Sequence, residues 1–227
     1  MFEVIRRNYL GLAVVAVAAA IPASAATVDY TTTANFTCSS CSVSGNGTGN
    51  VTVTYYGGGS NTATLIFTGS PSGTSVNSDA VFSTASYGTI TESYQGTGAN
   101  INGTFQLMLN QTVPNMNPTT GILGTATLSG LVYDGQSTSY ANFGVSDPSI
   151  SLGGPVVYEL DTAYKYGSNS QYGYSLVSPS TGNPPGVTTL QGNIQAAPEP
   201  TFLTLTGMGF LAMAGFAVRR RSAASKA

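Results

Sequence analysis

The chain has 227 residues, of which only 7% are charged, and its 7 lysines and arginines against 9 acids give a net charge of −2. It contains no histidine, which excludes a Ser-His-Asp or Cys-His catalytic arrangement and a zinc site with histidine ligands. Between residues 26 and 196 the only base is Lys165, against seven acids, so this part carries a charge of 1 − 7 = −6 and is not expected to bind nucleic acid.

The first residues have the composition of a secretory signal peptide. Arg6 and Arg7 precede an unbroken apolar run, Leu10 to Ile21, and the small-residue pattern Ala23-Ser24-Ala25 follows it. The run is shorter than the roughly 17 to 25 residues that a membrane-spanning helix needs. We therefore predict that residues 1–25 are removed on export, with a retained membrane anchor as the alternative.

Cys38 and Cys41 are the only two cysteines, and two serines separate them. This spacing is typical of a redox motif in a cytosolic protein, but here it lies in an exported, strand-rich region with no helix N-terminus to lower a thiol pKa. We predict a structural disulfide, whose stabilising effect is small because the loop is short. A redox or metal-binding pair and two free thiols are the alternatives.

Short alternating runs of apolar and polar residues predict strands through the middle of the chain. Val51–Tyr55 and Thr62–Thr68 alternate on either side of a glycine-rich segment, which predicts a hairpin. Phe105–Leu109 predicts a third strand and Ala126–Leu128 a fourth, in which a shift of phase near Gly130 predicts a β-bulge. The further predicted strands are Val28–Phe36, Ala80–Ser83, Thr89–Tyr94, Ser139–Val145, Val156–Tyr166, Tyr172–Val177 and Val187–Ile194.

The pattern favours an all-β fold for residues 26–196. No helical period appears there, and about ten short strands with turn residues between them are typical of an antiparallel β-sandwich, with a jelly roll as one form of it. The length suits one domain with a real core. Disorder is the alternative, but the recurring apolar runs count against it.

Glu159 and Asp161 are the one pair of carboxylates that glycoside cleavage could use. They alternate with Val156, Tyr158 and Leu160, so we predict that the acids point to water, and no second element completes a cleft. We therefore predict no enzymatic activity, no cofactor and no metal, with a weak calcium site on these acids as the alternative.

Four tyrosines, Tyr164, Tyr166, Tyr172 and Tyr174, flank the segment Gly167–Gln171, which predicts a second hairpin. If Tyr166 lies opposite Tyr172, then Tyr164 lies opposite Tyr174 and the four rings share one face. Exposed rings of this kind stack on sugars, so the four are candidates for polysaccharide binding. The alternative is that this face packs into the core, with Tyr166 and Tyr172, nearest the turn, the more exposed.

The end of the chain has a composition of its own. An uncharged, mostly apolar segment, residues 201–218, is just long enough to span a thin bilayer as a helix. A cluster of arginines after it keeps this end cytoplasmic. Two prolines around a carboxylate come directly before it. These flanking residues are Pro198, Glu199, Pro200, Arg219, Arg220 and Arg221.

This order of parts resembles the PEP-CTERM sorting signal of Gram-negative bacteria, over residues 197–227. In that family the tail is taken to be recognised by a membrane-embedded exosortase and cut near the motif, and the body is released or transferred to the surface, often in bacteria that make exopolysaccharide. The stretches GTFQLMLNQT, TATLSGLVYDG and TTLQGNIQAAPEP resemble the β-rich bodies of such surface proteins, which share no catalytic residues. A plain single-pass anchor is the alternative for the tail.

The resemblance implies a signal peptide at 1–25, an extracytoplasmic β-sandwich at 26–196 and a sorting signal with a transmembrane helix at 197–227. The expected partners are an exosortase-type enzyme, the inner membrane before processing, and exopolysaccharide. The expected location is the cell surface or the biofilm matrix, where the protein has a structural or adhesive role.

A polysaccharide-binding module is one alternative function. An ice-binding surface protein is another, since tails of this type have also been labelled ice-binding and flat arrays of threonine support ice binding. Thr31–Thr33 and Val51–Thr54 supply threonine, but no regular T-x-T ladder repeats through the sequence.

Overall fold

Every regular element is a β-strand in the computed structural model, which describes residues 26–71, 74–78, 83–115, 117–152, 156–162, 165–166, 171–180 and 185–196. The predicted signal peptide and sorting signal, residues 1–25 and 197–227, lie outside the described residues, as does Tyr164. The strands are β1 Ala26–Thr37, β2 Cys41–Ser44, β3 Asn50–Tyr56, β4 Thr62–Thr68, β5 Thr74–Ser78, β6 Ser83–Gln95, β7 Ala99–Val113, β8 Thr120–Val132, β9 Tyr140–Asn142, β10 Ser149–Ser151, β11 Val156–Leu160, β12 Lys165–Tyr166, β13 Gln171–Ser175 and β14 Gly186–Ala196.

The strands form two antiparallel sheets of seven strands each. Sheet A has the order β12-β13-β9-β8-β7-β1-β5, and sheet B has the order β10-β11-β14-β6-β4-β3-β2. The predicted all-β class and the antiparallel pairing are confirmed. In the part of the chain that the structure describes, no helix is long and apolar enough to cross a membrane.

Both sheets contribute to one core, because each strand turns alternate residues inward. Phe105 on β7 of sheet A is fully buried, and its ring centroid lies 5.6 Å from that of Phe67 on β4 of sheet B. The same ring also packs against Phe36 of β1 at 5.1 Å and against Phe143, just after β9, at 6.5 Å. Phe105 therefore joins the two sheets through aromatic packing.

A second aromatic group fills another part of the core. Tyr30 of sheet A lies 5.8 Å from Tyr87 and 6.0 Å from Tyr158, both of sheet B. Each hydroxyl has an acceptor: Tyr30 donates to the Ser86 carbonyl, and Tyr158 donates to Oε1 of the buried Gln111 at 2.8 Å. These bonds satisfy polar groups that would be costly to bury alone.

The hairpin predicted from Val51–Tyr55 and Thr62–Thr68 is confirmed, with β3 and β4 paired in register from Asn50 opposite Thr68 to Tyr56 opposite Thr62. The predicted bulge at Gly130 is wrong. Gly130 lies in regular register opposite Ile101, and a side chain there would collide with the carbonyl of Thr138. Gly130 has a φ of 119° and lets the backbone at Thr138 come close to β8. This close approach explains why a glycine interrupts the apolar alternation here.

The register of β7 and β8 shifts elsewhere. Leu107 lies opposite Gly124 but Met108 lies opposite Ile122, so Leu123 is the extra residue. Leu123 and Gly124 are both buried, as a bulge requires when two consecutive residues face the same side.

The single strand predicted at Val156–Tyr166 is also wrong. β11 ends at Leu160 in sheet B, and β12 begins at Lys165 beside sheet A. Between them Thr162 is buried, and its backbone N–H donates to Asp147 Oδ1 at 3.0 Å while its hydroxyl accepts from the Asp147 N–H at 2.7 Å. This reciprocal pair fixes the point at which the chain leaves sheet B.

Candidate functional site

The predicted disulfide is present. Cys38 and Cys41 are bonded, with their Cα atoms 5.9 Å apart, and both pack against the core. Cys38 directly follows β1 of sheet A and Cys41 begins β2 of sheet B. The bond therefore closes the corner at which the chain passes from one sheet to the other.

The predicted register of the tyrosine hairpin is wrong. Lys165 lies opposite Tyr172, and Tyr166 lies opposite Gln171. Tyr166 and Tyr172 are therefore not the cross-strand pair on which the predicted shared face depends. The partners of Lys165 and Tyr166 are thus shifted by one residue from those that the sequence pattern predicts.

Tyr174 lies between the two sheets. Its ring packs edge-on against Phe143, with centroids 6.2 Å apart, and its hydroxyl donates to the Gln191 carbonyl at 2.9 Å. Burial raises the pKa of this hydroxyl, and the bond to Gln191 offsets part of the rise. This packing favours the core alternative for Tyr174. The sugar-binding role of the group remains a prediction.

The two acids of the carboxylate pair occupy different environments. Glu159 is half-buried on β11 between the buried Tyr158 and Leu160, and Asp161 is exposed just after the strand. Among the described residues no three acids or cysteines come together as a metal site would require. The alternation that predicted an apolar face for Val156, Tyr158 and Leu160 is confirmed.

The outer side of sheet B carries rows of threonine that the sequence does not reveal. Facing residues of paired strands share a side, so T-x-T segments on different strands become neighbours. The hydroxyls of Thr54 and Thr64, for example, are 3.4 Å apart. None of these outward residues is charged. We call this surface the threonine face. It consists of three rows that run across the paired strands: Ser42, Thr54, Thr64 and Ser93 form the first, Ser44, Thr52, Ile66, Thr91 and Val187 the second, and Asn50, Thr68, Thr89 and Thr189 the third.

An exposed aromatic ring stands at one end of the threonine face. Tyr56 is 61% exposed and lies opposite Thr62, which in turn lies opposite Gln95. The residue follows the alternation of β3, so its ring is on the outer side with Thr52 and Thr54. An aromatic face beside neutral hydroxyls is a combination that suits stacking and hydrogen bonding to a neutral sugar.

The interior contains a carboxyl group. Glu92 on β6 is fully buried, and neither of its oxygens has a hydrogen-bond partner of good geometry among the described residues. Burial raises the pKa of this carboxyl to about 7, and the nearby Ser139 hydroxyl offsets part of the rise. A strongly perturbed buried acid is a candidate for a functional group. The sequence indicates this position through the alternation of β6, in which Ile90, Glu92 and Tyr94 share one face of the strand.

No protein-family model matches the chain, and no curated protein or solved structure matches it.

Proposed function

We propose that the chain is exported and delivered to the cell surface or extracellular matrix by an exosortase-type enzyme, where the β body has a structural or adhesive role. The observation that carries the proposal is the order of three parts near the end of the chain: the Pro-Glu-Pro motif at 198–200, the uncharged segment 201–218 and the arginines 219–221. The signal-type pattern at 1–25 supports export of what lies between.

One feature of the body supports an extracytoplasmic location, and another bears on its role. The Cys38–Cys41 disulfide is a bond that persists in oxidising compartments. The absence of histidine from the sequence favours a binding or structural role over catalysis. For the finer architecture, we propose a β-sandwich, supported by the contact of Phe67 and Phe105 between the sheets. Its jelly-roll form remains a prediction.

Processing tests this proposal. In a producing cell that has the sorting enzyme, we expect a mature protein that starts at Ala26 or Thr27 and ends near Pro198 to Thr201, because the two signals bracket the body. Intact-mass measurement of the recovered protein decides it, with a strain that lacks the enzyme as the control. A mature form that retains Arg219–Arg221 in the strain with the enzyme would contradict the sorting claim and leave an ordinary anchored protein.

A second function, binding of a neutral polysaccharide, is favoured by Tyr56 and the threonine face. The ring of Tyr56 is available for stacking, since it is 61% exposed. The face has many hydroxyl groups and no charge, so it favours an uncharged polymer over an anionic one. This candidate is separate from the tyrosine hairpin, whose sugar-binding role remains a prediction.

Tyr56→Ala is expected to reduce adsorption to cellulose about tenfold, because this corresponds to about 1.4 kcal/mol, the lower part of the roughly 1 to 3 kcal/mol that an aromatic ring contributes when it stacks on a nucleic-acid base. Its free energy of unfolding is expected to stay within about 0.5 kcal/mol of the original, as for other surface changes. A pull-down of the recovered protein with cellulose and with anionic alginate, beside a urea melt, makes both measurements.

The matched control is Tyr140→Ala, on the outer side of sheet A, where Tyr140 lies opposite the exposed Ser129 and Ser175. Adsorption should be unchanged in this variant. Equal losses in the two variants, or an equal affinity for alginate, would count against the threonine face. Inhibition of ice recrystallisation that depends on Tyr56, without adsorption to cellulose, would instead support the ice-binding alternative.

A further inference from the structure

Glu92 is enclosed by both sheets. In sheet B it lies between Leu65 of β4 and Gly186 of β14, and sheet A supplies Ser139 just before β9. Among the described residues Glu92 has the only buried carboxyl group. The Ser139 hydroxyl is itself buried without a hydrogen-bond partner of good geometry, so polar groups from both sheets meet here unsatisfied.

The part of sheet A over Glu92 is not a strand. Residues 137–139, the covering segment, lie between the turn after β8 and the start of β9. The segment has no continuous strand pairing and is attached by separate hydrogen bonds. The Thr138 N–H donates to the Leu131 carbonyl, and the Ser139 carbonyl accepts from the Leu176 N–H, each at 2.9 Å. The Ser137 hydroxyl bonds to the backbone of Tyr133 at 3.1 Å, and the Ser137 carbonyl accepts from the Ser178 hydroxyl at 3.3 Å. A segment held in this way can open without separating the paired strands on either side.

The groups around the carboxyl offer it no counter-charge. The strands that pack against β6 are β1, β4, β5, β8 and β14, and the only charged residue in their ranges is Asp29, which alternates with the buried Val28 and Tyr30 and so points outward. Inward-facing titratable groups nearby are tyrosines, Tyr30 on β1 and Tyr87 and Tyr94 on β6 itself. Desolvation, and then the exposed Asp134 in the turn before the covering segment, raise the pKa of the Tyr94 hydroxyl.

We propose that Glu92 is a pH-sensitive contact between the two sheets: the protonated carboxyl is retained beneath residues 137–139, and its ionisation opens that segment to water.

The environment of Glu92 determines the direction in which the stability of the closed form changes with pH. An ionised carboxylate without a partner is strongly disfavoured in an apolar interior, whereas the neutral acid is tolerated. Burial raises the pKa of Glu92 in the closed form to about 7, above its ordinary 4.5. The stabilisation of the closed form is therefore complete below pH 4.5, decreases between pH 4.5 and 7, and is lost above pH 7.

Amide hydrogen exchange of the recovered full protein tests the proposal. After correction for the intrinsic exchange rates, opening of residues 137–139 should increase on the order of 50-fold between pH 5 and pH 8, as the pKa values of about 7 and 4.5 require. Residues 50–68 of the β3–β4 hairpin are the internal comparison: they exchange through global unfolding and should stay much better protected than residues 137–139 at every pH. In Glu92→Gln the increase should disappear, because the amide does not ionise in this range.

Glu159→Gln is the matched control, since it removes the other glutamate of the described chain, and its exchange should follow the original protein. Three results would overturn the proposal: no change with pH in the original protein, the same change in Glu92→Gln, or equal protection of residues 137–139 and of the hairpin, which would mean that the segment opens only by global unfolding. If Glu92→Gln does not fold, a carbon-13 titration of the original protein still decides, because a Glu92 pKa near 4.5 would rule the contact out.

Discussion

Replacement of Phe105 by alanine is expected to lower the free energy of unfolding by about 3 to 5 kcal/mol, the usual range for a large buried aromatic residue. Phe105 is fully buried on β7, and its ring touches those of Phe36, Phe67 and Phe143. Its removal leaves a cavity at the point where the two sheets meet. Urea unfolding, followed by tyrosine fluorescence and circular dichroism, measures the loss.

Val177→Ala is the control for this change. Val177 is 49% exposed, so its truncation should alter the free energy of unfolding by no more than about 0.5 kcal/mol. A loss below about 1 kcal/mol for Phe105→Ala would mean that the aromatic group is not the shared core of the two sheets.

Replacement of Glu92 by glutamine is expected to raise the free energy of unfolding at pH 8 by about 3 kcal/mol, the equivalent of a pKa difference between about 7 and 4.5. The folded protein holds the carboxyl at a raised pKa, so the original loses stability as the pH rises from 4.5 to 7 and the variant does not. At pH 4 the two proteins should have nearly equal stability. Urea melts from pH 4 to pH 8.5 give the comparison.

The expected profile of the original protein is a decrease of stability toward neutral pH, with a plateau above it. Glu159→Gln, which changes a half-buried glutamate on β11, should retain that profile. A flat profile in the original protein, or a Glu92→Gln variant less stable at pH 8 than at pH 4, would contradict the prediction.

The strands that the sequence predicts are those in the middle of the sheets. β3, β4 and most of β7 bury one side and leave the other partly exposed, so their residues alternate clearly. β2, β5 and β10 were not predicted, and each lies at the end of a sheet. A strand at an edge is partly solvated, so its sequence, such as Ser149–Ser151 in β10, lacks the apolar alternation on which the prediction depends.

The candidate sites depend on pairing, which the pattern of one segment does not contain. The alternation of Ile90 and Tyr94 places Glu92 on an inner face, but the absence of a partner for it becomes visible only when Ser139 is in position. The threonine face likewise needs Thr54 and Thr64 to be paired. For the tyrosine hairpin, a shift of one residue in the register was enough to give Tyr166 a different partner.

The strands at the edges of the sheets determine whether neighbouring copies of the protein can pair with one another through their backbones. β2, β10 and β12 have 4, 3 and 2 residues, and a strand this short offers few free backbone groups for pairing with another chain. β5 covers only the first part of β1, but beyond it the Ala34 N–H donates to the Thr48 carbonyl and the Thr32 N–H donates to the Ser70 carbonyl. A dense layer of this protein would therefore resist fibril formation through strand addition, and its copies would meet through their uncharged faces instead.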